Sequence, residues 1–365
     1  MNAQDLVYKI AVTLLPQVGP VTARNLISYC GGVKEVFETP KNLLAKIPNV
    51  GPSLTASILE KSVLERAETE LEFIVKNNIK VLFYLDEDYP KRLTQLYDAP
   101  VLLYFKGDTN LNPARTVGIV GTRTPTPQGI SNCELLIEEL KKYDVQIISG
   151  LAFGIDGTAH RKSVEQNISN LGVVAHGLDR IYPAEHKSLA SNMMKCGGIL
   201  SEFPSNTIAD RERFPMRNRI IAGLSDALIV IETAQSGGSM ITADMAFNYN
   251  KDIFTFPGRV QDKFSKGCNL LIKRQRASLI ESADDLAYQM MWDKLDQTKT
   301  IQKSMFVELS PEEKTILDLL QAQETGIDEL SYKLSLSPSI MASVLLEMEF
   351  KGLVKSIPGK RFIIA

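Results

Sequence analysis

The sequence is poor in the residues that metal and redox sites are built from. Its 365 residues hold four cysteines, Cys30, Cys133, Cys196 and Cys268, none paired as Cys-x-x-Cys. Zinc-ribbon and thioredoxin-like chemistry therefore have no ligand set, and neither a metal site nor a cofactor is expected. There are only three histidines, His160, His176 and His186. Gly-x-Gly-x-x-Gly is missing: the glycine after Gly121 is Gly129, which argues against a dinucleotide-dependent oxidoreductase. No apolar run approaches a membrane span, and Met1 to Leu15 carries Asp5 and Lys9 without a cleavable signal pattern. Scattered thiols without a secretory signal suggest reduced cysteines in a cytoplasm. A formal net charge of -2 argues against a polycationic nucleic-acid coat, though not against a local basic site.

What is present is an ordinary globular composition, 44% hydrophobic and 23% charged. The length predicts two or three domains. Residues 1–80 read as helical and contain a short echo. Leu15-Pro16-Gln17-Val18-Gly19-Pro20 is repeated in kind by Ile47-Pro48-Asn49-Val50-Gly51-Pro52. The pattern resembles a helix-hairpin-helix signature, in which a glycine permits the tight turn and helix N–H groups can face a phosphate. The same hairpins could simply pack a small SAM-like helical domain. The flanking bases Arg24, Lys46 and Lys61 are too few to decide between the two.

Residues 81–292 read as an α/β core. Entry strands fall at 81–84 and 101–105. Apolar runs then recur at 117–120, 145–148, 171–175, 198–200, 227–231, 253–256 and 277–280, with helical stretches between them. Near-continuous apolar strands separated by helices predict an extended Rossmann-like parallel sheet covered on both faces. Residues 293–308 turn polar and read as a linker. In 309–365, Ser310-Pro311-Glu312-Glu313 is a helix start. Helices near 311–321, 326–334 and 338–350 followed by two short strands describe a winged-helix module.

In an open α/β sheet, ligands bind beyond the strand C-termini. Four glycine-bearing loops belong there: Gly121-Thr122-Arg123, Gly150 to Gly154, Gln235-Ser236-Gly237-Gly238-Ser239, and Pro257-Gly258-Arg259. Glycines let backbone N–H groups approach an anion, and helix N-termini add positive potential. Arg211, Arg213, Arg217, Arg219 and Lys273 belong to the same segment. Residues 115–280 carry 20 Lys and Arg against 16 Asp and Glu, so the core is net positive within an acidic chain. Such a groove suits a phosphodiester backbone.

These loops carry a family resemblance. Val120-Gly121-Thr122-Arg123-Thr124-Pro125, Ser149-Gly150-Leu151-Ala152-Phe153-Gly154-Ile155-Asp156-Gly157-Thr158-Ala159-His160, Gly177-Leu178-Asp179-Arg180-Ile181-Tyr182-Pro183 and Phe214-Pro215-Met216-Arg217-Asn218-Arg219-Ile220-Ile221-Ala222-Gly223 resemble, in order, motifs of the DprA/Smf family of DNA-processing proteins. Ser236 to Ala243, Phe256-Pro257-Gly258 and Gly267-Cys268-Asn269-Leu270 extend the match. The resemblance implies a non-enzymatic single-stranded DNA binder that forms homodimers and loads the RecA recombinase in natural transformation and homologous recombination. It puts the DNA pocket on Gly121, Thr122 and Arg123, on Arg217, Asn218 and Arg219, and on Ser236 to Ser239. Gly150, Gly154, Gln235 and Lys273 join these as DNA-binding candidates from their loops and charge. The family often has Ser-Gly-Ser where this chain has an extra glycine, which widens that turn.

The enzymatic alternative is a relative of the LOG-like nucleotide phosphoribohydrolases. Their Pro-Gly-Gly-x-Gly-Thr-x-x-Glu motif supplies a glutamate, and the stretch from Ser236 to Ala243 has no carboxylate. Asp156 and Asp179 are the remaining candidate bases, and each reads better as a cap of a helix or turn. His160 and His186 read as structural; His176, just past a strand, could still have a polar role in the pocket.

Overall fold

The computed structural model describes residues 3–60, 62–293, 310–322, 325–334, 336–351, 353–357 and 361–364. Lys61 and the expected linker beyond residue 293 lie outside them. The chain divides into a large unit, Met1–Leu295, and a small one, Asp296–Ala365. Among the described residues no helix is long and apolar enough to cross a membrane.

Nine strands build the large unit: β1 Lys80–Phe83, β2 Leu102–Gly107, β3 Thr116–Val120, β4 Gln146–Ser149, β5 Asn170–Val174, β6 Gly197–Ser201, β7 Ala227–Val230, β8 Asp252–Thr255 and β9 Ser278–Leu279. Their spatial order is β1-β2-β6-β5-β4-β3-β7-β8-β9. From β6 to β9 every pairing is parallel, as the helix-separated apolar runs predict. The edge departs from that expectation: β2 pairs antiparallel with both β1 and β6. The β1–β2 connection holds only the four-residue helix Lys91–Thr94, where a parallel pairing usually uses a longer crossover helix.

Both faces of the sheet are buried from β3 to β7, where the strands are apolar at successive positions. Val117 and Ile119 of β3 pack on one face with Leu136, Ile137 and Ala159, while Val120 points to the other with Ile220, Ile221 and Ala243. Ala227 and Ile229 alternate with Leu228 and Val230 in the same way.

The N-terminal helices form a third cluster around Ile10, Leu26, Phe37, Leu44 and Ile58. It takes in Phe83 of β1 and Leu102 and Tyr104 of β2, so the helices cover the antiparallel edge of the sheet. Polar ties add to it: Lys9 Nζ donates to Asp86 at 3.1 Å, and Arg24 donates to the carbonyls of Leu96 and Ala99 at 3.2 and 2.7 Å. The sequence echo is an echo of conformation. Val18 N donates to Leu15 O and Val50 N to Ile47 O, both at 3.2 Å. The tight turn does not sit on the glycines as expected. Gln17 (φ 60°) and Asn49 (φ 65°) take the left-handed conformation, and Gly19 is an extended N-cap at φ -87°. Asparagine is one of the few residues that visits this region readily.

The small unit has helices Pro311–Ala322, Ile327–Leu334 and Pro338–Phe350, then antiparallel strands Val354–Ile357 and Arg361–Ile364. A two-residue strand, Thr325–Gly326, joins the hairpin, an addition to the three helices and two strands expected. Ile316, Leu330, Met341, Leu345 and Met348 form its core. This is a winged helix.

Candidate nucleic-acid interface

β3 is the topological switch point. After it the chain winds through β4, β5 and β6 on one side, and β7 and β8 follow on the other. The loops leaving β3 and β7 therefore part above the sheet and leave a crevice, the place where open α/β sheets take ligands. Because β4, β3, β7 and β8 are parallel neighbours, all four glycine loops lie along one edge, as expected.

The loop after β3 is fixed from below. Thr122 N donates to Glu232 O at 2.8 Å, and the Glu232 carboxylate accepts from Thr126 N (2.9 Å) and Thr126 Oγ1 (2.5 Å). Thr126 Oγ1 in turn caps the Pro127–Leu140 helix by accepting from Gly129 N at 3.1 Å. A side chain at Gly121 would meet Ile155 at 2.5 Å, so glycine is required for the loop to seat on that helix. The held loop projects Arg123 outward. Its guanidinium carbon lies 5.0 Å from the centre of the Phe214 ring, and the residue is exposed. The ring limits where the cation can go without consuming its hydrogen-bond donors.

Arg217 plays a different part. It is 4% exposed, and Nη1 donates to the carbonyls of Gly150 and of Val173, the latter at 2.6 Å. Burial pushes its pKa down to about 10, and the nearby Asp156 carboxylate opposes the fall, so the charge is kept at neutral pH. Burial raises Asp156 despite Arg217, and its Oδ2 accepts from Gly150 N at 3.1 Å. Arg217 is thus a buried cation beneath the crevice that fixes the strand ends β4 and β5. Its Nε donates to Asn218 Oδ1 at 3.0 Å, which turns the Asn218 amide nitrogen toward the crevice, 3.5 Å from Gly238 O.

Gly238 lines the far side of the crevice, and Gln235, Ser236 and Gly237 before it are exposed. Gly237 has φ 149°, and the Gly238–Asn248 helix starts there without a side-chain cap. A Cβ at Gly237 or Gly238 would meet nothing within 4 Å, and the positive end of the helix dipole lies there with the uncapped first N–H groups. Candidate side chains, backbone donors and a buried charge thus converge on one opening.

A family model described as DNA recombination-mediator protein A matches residues 80–291. The chain belongs to that family. A second model, the DprA winged helix domain, matches residues 307–360. Protein Smf of Synechocystis is 30% identical over 99% of both chains. DNA processing protein DprA of Bacillus subtilis is 42% identical over 55% of this chain and 67% of its own. The Streptococcus pneumoniae DNA processing protein A structure superposes with a TM-score of 0.68 at 29% identity, covering 78% of this chain and 97% of that one. The Helicobacter pylori protein, described for its unique single-stranded DNA binding mode, gives 0.53 at 30% identity over 58% and 95%.

For this member of the DNA recombination-mediator protein A family, several expected contacts move. Arg219, two residues past Arg217, faces away: it pairs with Glu202 and donates to the carbonyl of Asp98, and it is 8% exposed. Lys273 ends a helix whose first turn is tied to Thr233 (Gly267 N to Thr233 O, 2.9 Å). It stands at the far end of that eight-residue helix, about 10 Å along the axis from its start. Ser239 is buried and its hydroxyl donates to Thr233 Oγ1 at 2.7 Å. Gly150 and Gly154 support the site from within. A side chain on Gly150 would strike Arg217, and one on Gly154 (φ 77°) would strike Thr122 O at 2.3 Å.

Sequence reasoning missed the aromatic residues. Phe153, Tyr182 and Phe214 line the opening with Arg123, Arg217 and His176. Phe153 and Tyr182 are 44% and 48% exposed, and the Tyr182 and Phe214 rings lie 6.1 Å apart. All three stood inside the quoted motifs, and exposed rings among cations are the stacking half of a single-strand site. His176 sets the tyrosine turn: Nδ1 donates to Gly177 O (2.9 Å) and Nε2 accepts from Tyr182 N (3.1 Å), so the ring is neutral, and burial lowers its pKa.

Proposed function

We propose that this protein binds single-stranded DNA without catalysis, protects incoming or recombining strands, and loads the RecA recombinase in natural transformation and homologous recombination. The observation that carries the DNA reading is the Arg123–Phe214 pair at the mouth of the switch-point crevice, with Phe153 and Tyr182 beside it and the uncapped helix at Gly238 opposite. Phosphates meet Arg123 and the helix N–H groups, and unstacked bases lie on the rings. The hollows beneath are small, about 20 and 70 Å³, so bases stack across the opening and are not engulfed. The Helicobacter pylori relative supports the strand class. The part played with RecA and the homodimer rest on the family resemblance, and the cytoplasmic setting on the scattered thiols.

Support for binding over glycoside hydrolysis comes from the crevice itself. Among its described lining residues the carboxylate is Asp156, and its oxygen is occupied by Gly150 N. The test is anisotropy with labelled single- and double-stranded oligonucleotides over a salt series, beside a nucleotide-hydrolysis assay. Single strands should bind more tightly with little sequence preference, and no nucleobase should be released. Equal affinity for both forms, or turnover, refutes the reading. Faster RecA assembly on coated single strands tests the loading role.

A further inference from the structure

Behind the wall that carries Tyr182 lies a second groove, of about 580 Å³. One side is Phe73 and Asn77 at the end of the Ser62–Lys76 helix; the other is the Lys187–Met193 helix. The floor is Ile199 of β6 and Lys106 of β2, which are register partners and so rise on the same face. Its lining cations are Lys106, Arg180 and Lys187, against one carboxylate, Asp179. That carboxylate is already engaged by Arg180 at 2.7 Å and by Asn206 N at 2.9 Å. Neither Lys106 nor Lys187 is ion-paired among the described residues. The groove therefore presents two uncompensated ammonium groups over an apolar floor.

The two hollows share one wall. His176, Tyr182 and Pro183 face the crevice, while Leu178, Arg180, Ile181 and Ala184 of the same turn face the groove. A strand that stacks on Tyr182 and continues past it meets the groove on the other side of the same turn. We propose that this groove is a second contact for the same DNA strand, gripping the phosphates that leave the crevice through Lys106 and Lys187. The inference rests on the single-strand reading of the crevice. It sets the length of strand the protein covers, and it recruits the N-terminal helices as one bank of the path.

The test compares oligonucleotides of about 6 and about 25 nucleotides, spanning the range of known single-strand site sizes. The Lys106→Gln/Lys187→Gln variant should bind the long strand about tenfold more weakly near physiological salt, and its salt slope should fall by about 1.4, the value for two lost single-strand phosphate contacts. Short-strand affinity should stay at the wild-type value. Equal losses on both lengths would mean the lysines act only through the general field, and unchanged long-strand binding would remove them from the path. Loss of affinity for a polyglutamate peptide with unchanged DNA binding would assign the groove to a protein partner; each of these three overturns the proposal. Arg123→Ala, measured beside it, should weaken both lengths. If it weakens neither, the crevice reading has failed, and that failure is separate from the groove's.

Discussion

Replacing Arg123 by alanine should weaken single-strand binding by about 1–3 kcal/mol, the range for a charge-assisted hydrogen bond to phosphate. The structure narrows why. Arg123 is exposed, lies over Phe214, and makes no ion pair among the described residues, so its truncation leaves no buried group stranded. The fold should be untouched: a surface change away from packing is usually within about 0.5 kcal/mol. Arg219→Ala provides the contrast, on the helix that carries Phe214. That side chain is buried between Glu202 and the Asp98 carbonyl, and removing it leaves a buried carboxylate unpaired. It should cost about 3–5 kcal/mol of stability. Anisotropy on a labelled strand, paired with thermal unfolding, reads both quantities. Arg123→Ala should lose affinity and keep its unfolding midpoint, and its salt slope should drop by about 0.7. A folded Arg123→Ala protein with wild-type affinity, or one whose salt slope is unchanged, refutes the assignment.

Glu70 positions the Tyr182 wall from the N-terminal helices. It is 1% exposed and accepts from Ser205 N and Oγ at 2.8 and 2.5 Å, while the next residue, Asn206, donates to Asp179. Glu70→Gln should lower DNA affinity about threefold, and that loss should vanish in a Tyr182→Ala background; additive losses would show no such coupling. Burial holds His160 neutral, with its pKa lowered from 6.5 to about 4. A depressed histidine binds fewer protons folded than unfolded, so its contribution is complete above pH 6.5 and is lost as pH falls toward 4. Denaturant midpoints should therefore drop over that window in wild type and less steeply in His160→Asn; identical pH profiles contradict it.

Much of the fold and of the crevice is legible in the sequence. The apolar runs located every strand of the large sheet, most sharply in β3 to β7, where burial on both faces removes the polar alternation that blurs strand ends. The glycine loops fell on one edge because parallel strands admit no other arrangement. The antiparallel edge was not legible, since β1 and β2 look the same whichever neighbour they choose. Side-chain direction was the second gap. Arg217 and Arg219 are two residues apart on a helix, and that spacing sends them to different faces, one under the crevice and one to Glu202. The hairpin glycines misled for a related reason: Gln17 and Asn49 took the turn, and glycine remained at the cap. Phe153, Tyr182 and Phe214 were visible as letters, but only their convergence shows a stacking surface.

The winged helix poses the question of whether it reads DNA. A groove-reading helix presents basic or amide side chains to base edges and phosphates. The helix in that position, Pro338–Phe350, buries Met341, Leu345 and Met348 and exposes Ile340, Leu346 and Phe350, the last two at 54% and 84%. Its charged residues are Glu347 and Glu349, and it has no Lys, Arg, Asn or Gln. Glu349 accepts from Ser356 N at 3.2 Å, which ties that carboxylate to the first hairpin strand. Glu347 pairs with Lys351 at 2.9 Å, so a phosphate approaching this face meets apolar surface and charge that is already compensated. Exposed basic side chains occur on the hairpin, at Lys355 and Arg361. They could add one or two screened contacts. Deleting residues 309–365 should therefore leave single-strand affinity within about threefold, a change below roughly 0.7 kcal/mol. The truncated chain retains the large unit with its crevice, so it can be checked by its unfolding transition before binding is measured. A tenfold loss in a folded truncation would mean that the module contributes phosphate contacts directly, and the apolar helix face would need another explanation.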